Sequence, residues 1–288
     1  MKEQINHIIA QLETVYPPDE AQALAWWVME EETGLTRSQI LTGCKITKNF
    51  AHMQEIIERL LHFEPIQYIF GHTLWCGLDL KVTPATLIPR PETAELVEKI
   101  NRFAQREKTA LRKEEMPIRI LDIGTGSGCI AIALKKAHPE WQITGIDVSE
   151  EAIEVARENA RRNGVEVAFH VMDIMAESLD FNEEFLTSFD LVVSNPPYIC
   201  EQEKESMRPN VLEYEPETAL FVPDSDPLRF YRRIAALFRS RPVQLFFEIN
   251  EAYPDELSAM LGELGYTDIH ITNDIYGKPR IIEARMAG

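Results

Sequence analysis

Residues 119–134 constrain the fold of this 288-residue chain more than any other stretch. Residues 119–123, with the sequence RILDI, have the composition of a short buried strand. The turn GTGSG follows directly, and IAIAL at residues 130–134 favours a helix. A strand, a glycine turn and a helix in this order begin the nucleotide-binding part of a doubly wound sheet. The sequence therefore predicts an α/β fold of the Rossmann-like class for the larger part of the chain.

The spacing of the glycines separates this turn from a dinucleotide-binding fingerprint. That fingerprint is G-x-G-x-x-G, whereas here the third glycine comes one residue early and Cys129 takes its place. A G-x-G-x-G turn after an acidic strand end resembles the loop of S-adenosylmethionine-dependent methyltransferases, where the backbone approaches the amino-acid part of the cofactor. The candidate cofactor-binding residues of the turn are Gly124, Thr125, Gly126, Ser127 and Gly128.

Two acidic residues follow at the ends of the next predicted strands. Asp147 ends the strand 142–147 about twenty residues after the glycines, where a nucleotide-binding unit carries its ribose-binding acid. Capping of the following helix is the alternative for Asp147, and Ser149 could cap that helix equally well. After the strand 167–171, Asp173 is placed to accept the adenine amino group and Ile174 to cover the ring. A solvated turn is the alternative for Asp173.

The tetrapeptide Asn195-Pro196-Pro197-Tyr198 follows an apolar strand pattern at residues 191–193. Two adjacent prolines cannot donate backbone hydrogen bonds, so the strand must end there. The Asn195 side-chain oxygen and the Pro196 carbonyl can each accept one N–H of a planar NH2 group, with Tyr198 against the plane. Adenine, cytosine and a glutamine amide all carry such a group. We therefore expect Asn195, Pro196 and Tyr198 to act in catalysis and all four residues to bind substrate; a turn without chemistry is the alternative.

The charge balance of the sequence indicates which class of partner the protein binds. Aspartate and glutamate total 47 against 29 lysine and arginine residues, a formal net charge of −18. An enzyme that acts on nucleic acid generally needs a basic surface, because phosphate neutralisation supplies much of its affinity. The composition therefore favours a protein substrate that is itself basic over direct binding of nucleic acid. A DNA adenine methyltransferase, supported by residues 195–198 alone, and a non-catalytic partner-binding protein remain the alternatives.

Other features of the sequence concern the cellular location. There is no apolar run near 18 residues, so no membrane span is expected. The amino-terminal segment begins an amphipathic helix and lacks a signal-peptide profile. Four scattered cysteines without paired spacing are typical of free thiols in a cytoplasmic protein. No group of side chains has metal-ligand spacing, so no metal is expected.

The chain divides into three predicted segments. Residues 1–72 carry apolar residues at helical spacing and form a helical domain, which we expect to dock the substrate. Residues 73–85 form a β-hairpin linker with Gly77 at its turn. Residues 86–288 form the α/β domain. The proline-rich stretch around Arg90, Glu92 and Thr93 makes a stiff loop that would suit a lid, and a plain linker is the alternative.

From end to end the chain resembles the peptide release factor glutamine methyltransferases. The stretches that carry the resemblance are EPIQYIFG at 64–71, TLIPRPET at 86–93, GTGSG at 124–128, VSNPPYI at 193–199 and YEPETAL at 214–220. The combination of PRP with NPPY is specific to this family, whereas NPPY alone is shared with DNA adenine methyltransferases.

The resemblance implies a helical domain, a hairpin and a seven-stranded class I methyltransferase domain. It implies methyl transfer from S-adenosylmethionine to the glutamine side chain in the Gly-Gly-Gln loop of class-I release factors, with S-adenosylhomocysteine as product and translation termination as the process modulated. By family position, residues 124–128, Asp147, Asp173 and Ile174 contact the cofactor, with Asn195 beside it. Residues Arg90, Glu92 and Thr93 close over it. A monomer is expected.

Two departures from the family pattern leave the fit of the substrate open. The usual Pro-Gly-Gly turn is replaced by RSRPVQ at residues 239–244. The usual Glu-Ile-Gly reads Glu248-Ile249-Asn250. Both lie outside the predicted cofactor loops, so they do not bear on the reaction itself.

Overall fold

The computed structural model describes residues 2–44, 52–106, 117–176, 185 and 188–287, and these residues form two compact units. The helices are α1 Lys2–Leu12, α2 Pro18–Thr33, α3 Arg37–Leu41, α4 Met53–Leu61, α5 Ile66–Phe70, α6 Pro91–Arg106, α7 Cys129–Ala137, α8 Glu150–Arg162, α9 Pro209–Leu212, α10 Glu217–Leu220, α11 Arg229–Phe238 and α12 Pro254–Glu263, with a 3-10 helix at Glu201–Ser206. The strands are β1 His72–Trp75, β2 Leu78–Lys81, β3 Arg119–Ile123, β4 Gln142–Asp147, β5 Ala168–Val171, β6 Leu191–Ser194, β7 Ile199–Cys200, β8 Phe221–Val222, β9 Val243–Glu248, β10 Thr267–Asn273 and β11 Pro279–Met286.

The smaller unit consists of Met1–Gly71 and Arg208–Tyr214. Its core is formed by apolar residues at helical spacing, such as Ile8 and Leu12 of α1 against Ala25 of α2, all of which are buried. A stripe of this kind holds helices together because each helix removes one apolar face from water. The all-helical character predicted for the amino-terminal residues is confirmed in the described ones.

The segment Arg208–Tyr214 returns from the second half of the chain into this smaller unit. The Arg208 guanidinium pairs with Glu20 at 2.6 Å, and the Tyr214 hydroxyl donates to the carbonyl of His62 at 2.8 Å. The predicted boundaries place this segment in the α/β domain, because the apolar spacing along the chain carries no sign of contacts 152 to 188 residues apart. The docking role of the helical residues stays a prediction.

The predicted hairpin is confirmed and belongs to the larger unit, His72–Met207 with Glu215–Gly288. Strands β1 and β2 pair antiparallel, with Trp75 opposite Leu78. The two turn residues, Cys76 and Gly77, both have a left-handed backbone, with φ 50° and 72°. Two consecutive left-handed residues give the turn twist that matches paired strands, and glycine adopts this conformation without steric cost.

A seven-stranded sheet with the order β10-β11-β9-β6-β3-β4-β5 is the framework of the larger unit. Strands β5, β4, β3, β6 and β9 are parallel, and β11 runs antiparallel to both β9 and β10. The chain builds outward from β3 through β4 to β5 and then crosses back to place β6 on the other side of β3. At such a switch point the connections that leave two neighbouring strands run in opposite directions, and a crevice for a ligand lies outside the carboxyl ends of these strands.

Helices cover both faces of this sheet, which makes it doubly wound. Alternate residues of β3 enter different cores, with Leu121 on the face that also buries Phe247, and Ile120 on the face that also buries Phe246. Helices α6, α7 and α8 supply the second core, and α11 and α12 the first. The strands predicted at 119–123 and 142–147 are confirmed to the residue. None of the helices in the described part of the chain is long and apolar enough to cross a bilayer.

Candidate functional site

A cavity opens in the larger unit at the carboxyl ends of β3, β4, β5 and β6. The predicted site residues on its wall are Arg90, Thr93, Gly124, Thr125, Gly126, Ser127, Asp147, Asp173, Ile174, Asn195, Pro196 and Pro197. The cavity therefore brings together residues from five separate stretches of sequence. Glu92, Gly128 and Tyr198 are not among the residues that line it.

The glycine turn follows β3 and leads into α7. Gly124 and Gly126 have left-handed φ values of 69° and 53°, and a Cβ at either position would meet no atom within 4 Å. Glycine is needed there for the backbone conformation, and the missing side chains leave the cavity wall open. At Gly128 a Cβ would lie 3.1 Å from the Cβ of Ala156 instead. This third glycine therefore allows α7 and α8 to pack closely and does not face the cavity.

The carboxylate of Asp147 is held at the end of β4 by backbone donors. The N–H of Gly126 donates to Oδ2 at 2.9 Å, and the N–H of Ser149 donates to Oδ1 at 3.0 Å. Burial raises the pKa of Asp147, and these two donors offset part of the rise. The side chain of Ser149 caps α8 by accepting from the N–H of Ala152. Capping, the alternative considered for Asp147, thus belongs to Ser149.

Asp173 and Ile174 follow β5 and lie on the same wall. Asp173 is exposed, and its Oδ1 accepts from the N–H of Met175 at 2.8 Å, so it does stabilise a turn. Its place on the cavity wall leaves the carboxylate available to a ligand as well. Ile174 is buried beside it and adds an apolar surface.

A second buried acid beneath the glycine turn was not assigned a role from the sequence. Asp122 is fully buried, and its Oδ2 accepts from the Thr125 hydroxyl at 2.6 Å. Burial raises the pKa of Asp122 to about 7, although the Thr125 hydrogen bond acts in the opposite direction. Its position two residues before the first glycine was the signal that could have identified it.

The Asn-Pro-Pro-Tyr turn leaves β6 next to the glycine turn, because β6 is the direct neighbour of β3. Ser194 donates its hydroxyl to the carbonyl of Ile123 at 2.7 Å, which ties the two strand ends together. The side-chain NH2 of Asn195 donates to the Thr93 hydroxyl oxygen at 3.3 Å. Thr93 is buried in the first turn of α6, so the proline-rich segment supports the turn from one side.

Tyr198 points away from the cavity wall into a buried polar cluster. Its hydroxyl donates to Oε1 of Glu248 at 3.0 Å, while the Thr93 hydroxyl donates to Oε2 at 2.7 Å. Glu248 ends β9 and is 1% exposed. Burial raises the pKa of Glu248, and the hydrogen bonds from Thr93 and Tyr198 and the charge of Arg280 offset part of the rise. Burial also raises the pKa of Tyr198.

The proline-rich segment is fixed by an acid from the distant stretch 214–220. Glu215 accepts from the Ile88 N–H at 3.2 Å and pairs with the Arg90 guanidinium at 2.6 Å. The Glu215 side chain is 1% exposed, so the acid is shielded from water, whereas its Arg90 partner is half-buried. The segment around Arg90 is thus bound to the cavity wall in this structure, and Glu92 is half-buried beside it.

Sequence comparisons identify the family. The PrmC N-terminal domain family matches residues 3–71, and a methyltransferase domain family matches residues 115–241. The release factor glutamine methyltransferase of Bacteroides thetaiotaomicron is 44% identical, covering 96% of this chain and 97% of the relative. The chain belongs to the release factor glutamine methyltransferase family. The protein of the same name from Flavobacterium psychrophilum is 37% identical, covering 96% of each chain.

Solved structures support the fold of this glutamine methyltransferase family member. The N-terminal domain of human METTL16 in complex with SAH matches with a TM-score of 0.51 and 16% identity, covering 98% of this chain and 95% of that chain. At this identity the likeness concerns the fold alone. With the methyltransferase domain match and the seven-stranded sheet, the predicted class I methyltransferase fold and the assignment as an enzyme are confirmed.

The departure at Asn250 from the family's Glu-Ile-Gly pattern introduces contacts to the Asn-Pro-Pro-Tyr turn. The Asn250 side chain is buried, and its NH2 donates to the Tyr198 carbonyl and to Oε1 of Glu203, both at 3.0 Å. Its oxygen accepts from the Ala252 N–H at 2.9 Å. A glycine has no side chain to make these bonds, so Asn250 anchors the end of the turn in a way that the expected glycine could not. The altered residues 239–244 do not line the cavity.

Proposed function

We propose that this enzyme transfers a methyl group from S-adenosylmethionine to the side-chain amide nitrogen of the glutamine in the Gly-Gly-Gln motif of class-I peptide release factors. The observation that carries the proposal is the position of Asn195 and Pro196 beside the glycine turn, in one cavity. Acceptors for a planar NH2 group beside a candidate nucleotide-binding turn support the proposal. The names of the curated relatives give the substrate class.

The residues of the cavity fit the cofactor. Each oxygen of the Asp147 carboxylate accepts one backbone N–H and keeps a further lone pair, so both can accept a ribose hydroxyl. Gly124 and Gly126 leave open space where side chains would stand. Ile174 supplies an apolar surface for an adenine ring, and Asp173 an acceptor for its amino group. Arg90 and Thr93 also line the cavity and would complete the binding site.

The residues of this chain position the substrate nitrogen and stabilise the positive charge that develops on it. S-adenosylmethionine supplies, when bound, a strongly electrophilic methyl group. An amide nitrogen is a poor nucleophile because its lone pair is delocalised into the carbonyl. Acceptors from the Asn195 side chain and the Pro196 carbonyl would hold both N–H bonds, localise that lone pair and stabilise the positive charge that develops. Correct placement of the nitrogen can contribute on the order of 7–11 kcal/mol at best.

No general base is assigned, because the methylated nitrogen carries an acidic proton that can leave to water. Glu248 is a buried acid directly behind Thr93, and its two oxygens already accept hydroxyl donors from Thr93 and Tyr198. We propose that its contribution is structural, as developed below.

We further propose that the enzyme is a cytoplasmic monomer. It recognises its protein substrate through charge complementarity, because the net charge of −18 would repel nucleic acid and attract a basic protein surface. All four cysteines are free thiols, in keeping with a reducing compartment.

Methyl transfer from labelled S-adenosylmethionine to a purified class-I release factor tests the function. The matched control is the same release factor with its Gly-Gly-Gln changed to Gly-Gly-Ala, and mass spectrometry locates the label. We expect label on the glutamine and none on the control. Label on DNA, or on neither protein while the cofactor still binds, would contradict the proposal.

A further inference from the structure

We infer that Glu248 is a positioning residue that fixes, through Thr93, which way round the side-chain amide of Asn195 is held. The inference rests on the proposed function, in which the oxygen of Asn195 accepts an N–H from the substrate amide. It concerns a residue that does not line the cavity and acts from behind its wall.

The hydrogen bond between Thr93 and Glu248 has a defined direction. An ionised carboxylate can only accept hydrogen bonds. At 2.7 Å from Oε2, the Thr93 hydroxyl must therefore use its single proton towards Glu248. The hydroxyl of Tyr198 does the same towards Oε1. Burial raises the pKa of Glu248, whereas the hydrogen bonds from Thr93 and Tyr198 and the charge of Arg280 favour the ionised form. A buried carboxylate needs donors of this kind, so the direction is stable.

The direction of the Thr93 hydrogen bond in turn defines the orientation of the Asn195 side-chain amide. Because the proton of Thr93 is already used, its oxygen can only accept from the Asn195 amide 3.3 Å away. A side-chain amide has nearly the same shape in its two flipped orientations, so packing alone does not select one. The Thr93 acceptor selects the orientation with NH2 towards Thr93, which leaves the oxygen of Asn195 free for the substrate.

The consequence for the reaction is that the acceptor is arranged before the substrate arrives. In the flipped orientation, the NH2 of Asn195 would meet the NH2 of the substrate glutamine, and two donors repel. Prearranged dipoles avoid reorganisation during the reaction, and this is the main advantage of such sites. Glu248 would thus act on the substrate nitrogen through two intervening side chains, Thr93 and Asn195.

A double-mutant cycle with Glu248→Gln and Asn195→Ala tests this coupling. The introduced glutamine side chain has nearly the shape of the Glu248 side chain. It carries a donor as well as an acceptor, so it no longer enforces the direction of the hydrogen bond from Thr93. We expect Glu248→Gln to lower kcat roughly 10-fold at saturating cofactor, with the KM for the release factor changed less than about threefold. In the Asn195→Ala background, the same change should lower kcat less than about twofold, because the residue it acts through is absent.

Thr93→Val provides a second test, because it removes the hydroxyl at nearly constant shape. Thr93→Ser keeps the hydroxyl and should recover most of the lost kcat. The matched control is Thr33→Val, which removes another buried hydroxyl, bonded to the Met29 carbonyl, in the smaller unit. If the Asn195→Ala enzyme is too slow to assay, the side-chain NH2 signals of Asn195 in a nitrogen-15 NMR spectrum replace turnover. These signals are assigned by their loss in Asn195→Ala.

The outcomes separate the inference from the proposed function. The inference predicts that Glu248→Gln and Thr93→Val shift the Asn195 NH2 signals and that Thr33→Val does not. Equal losses of kcat in both backgrounds, or unshifted NH2 signals, would overturn the role of Glu248 while leaving methyl transfer by the unmodified enzyme intact. Absence of methyl transfer by the unmodified enzyme would instead contradict the proposed function.

Discussion

At the scale of single residues, the site depends on a few polar side chains whose hydrogen bonds have a fixed direction. Asp147 accepts two backbone N–H groups and Asn195 donates to Thr93, so both side chains are held by the protein where they line the cavity. This arrangement lets one residue stabilise the fold locally and still serve in binding or catalysis.

Asn195→Ala is expected to lower kcat by roughly 100-fold or more, because it removes an acceptor that acts on the developing charge. Cofactor affinity should change by less than about threefold, since the cofactor has its own partners. Steady-state kinetics and calorimetric titration with S-adenosylhomocysteine measure the two quantities. A collapse of cofactor affinity with normal turnover at saturation would contradict the assignment.

Asp147→Ala is expected to have the opposite profile. Loss of a charge-assisted acceptor should weaken cofactor binding by about 10- to 100-fold, while turnover at saturating cofactor changes little. Asp255→Ala is the matched control, because Asp255 is exposed in the first turn of α12 and does not line the cavity. The titration used for Asn195→Ala measures the change, and unaltered affinity would remove Asp147 from the binding site.

Asp122 has a pKa that makes stability depend on pH. Its folded-state pKa of about 7 lies above the ordinary value of 3.8, so between these values the folded protein binds more protons than the unfolded chain. The contribution of Asp122 to stability therefore falls as pH rises from about 4 to about 7 and is then constant. We expect Asp122→Asn to gain stability relative to the parent over this range, by a few kcal/mol. Thermal unfolding at successive pH values measures the difference, and a constant difference would contradict the expectation.

At the scale of secondary-structure elements, the glycines show how closely strands and helices approach. A Cβ on Gly145 of β4 would lie 2.6 Å from Cδ1 of Phe169 and 2.8 Å from the Thr125 hydroxyl oxygen. In α12, a Cβ on Gly262 would be 4.0 Å from its nearest neighbour, Cδ1 of Ile269. The first glycine is required by packing and the second is not.

Gly145→Ala and Gly262→Ala should therefore change stability in opposite directions. Overpacking at Gly145 should lower the free energy of unfolding by about 1–3 kcal/mol, because the buried Phe169 ring and the Thr125 hydroxyl would have to move. At Gly262 alanine should raise it by about 0.5–1 kcal/mol through its higher helix propensity. Chemical denaturation of the two variants gives both values. Equal effects of the two changes would show that packing around Gly145 is looser than the structure indicates.

At the scale of the whole molecule, charge is the property that most affects association. With 47 acidic and 29 basic residues, the protein creates a negative field over its surface. Such a field accelerates encounter with a basic partner and is screened by salt over about 10 Å at 0.1 M ionic strength.

We expect kcat/KM for the release factor to fall by roughly 10-fold between about 50 mM and about 500 mM salt, because screening slows the encounter. The affinity for S-adenosylmethionine should change far less and serves as the internal control, because this small ligand carries only a single net positive charge. An unchanged kcat/KM would mean that the net charge plays no part in substrate recognition.

Local signals in the sequence determined much of the fold and of the candidate cofactor site. Left-handed glycines after a strand, two prolines that end β6, and acids at strand ends are features of neighbouring residues. Their conformational consequences hold wherever the chain is placed. For this reason β3, β4, the hairpin turn at Gly77 and the position of Asp147 could be read from the chain, and the resemblance to release factor glutamine methyltransferases added the reaction.

Only the tertiary structure decided the polar contacts behind the cavity wall. Glu248 accepts hydrogen bonds from Thr93 and Tyr198, which lie 155 and 50 residues away in the sequence. Glu215 accepts one from Arg90, which lies 125 residues away. A hydrogen bond requires an approach within about 3 Å, and no local pattern states which distant side chains reach that distance. The sequence alone therefore predicted most of the candidate site residues that line the cavity, whereas the fold decided which residues hold them in place.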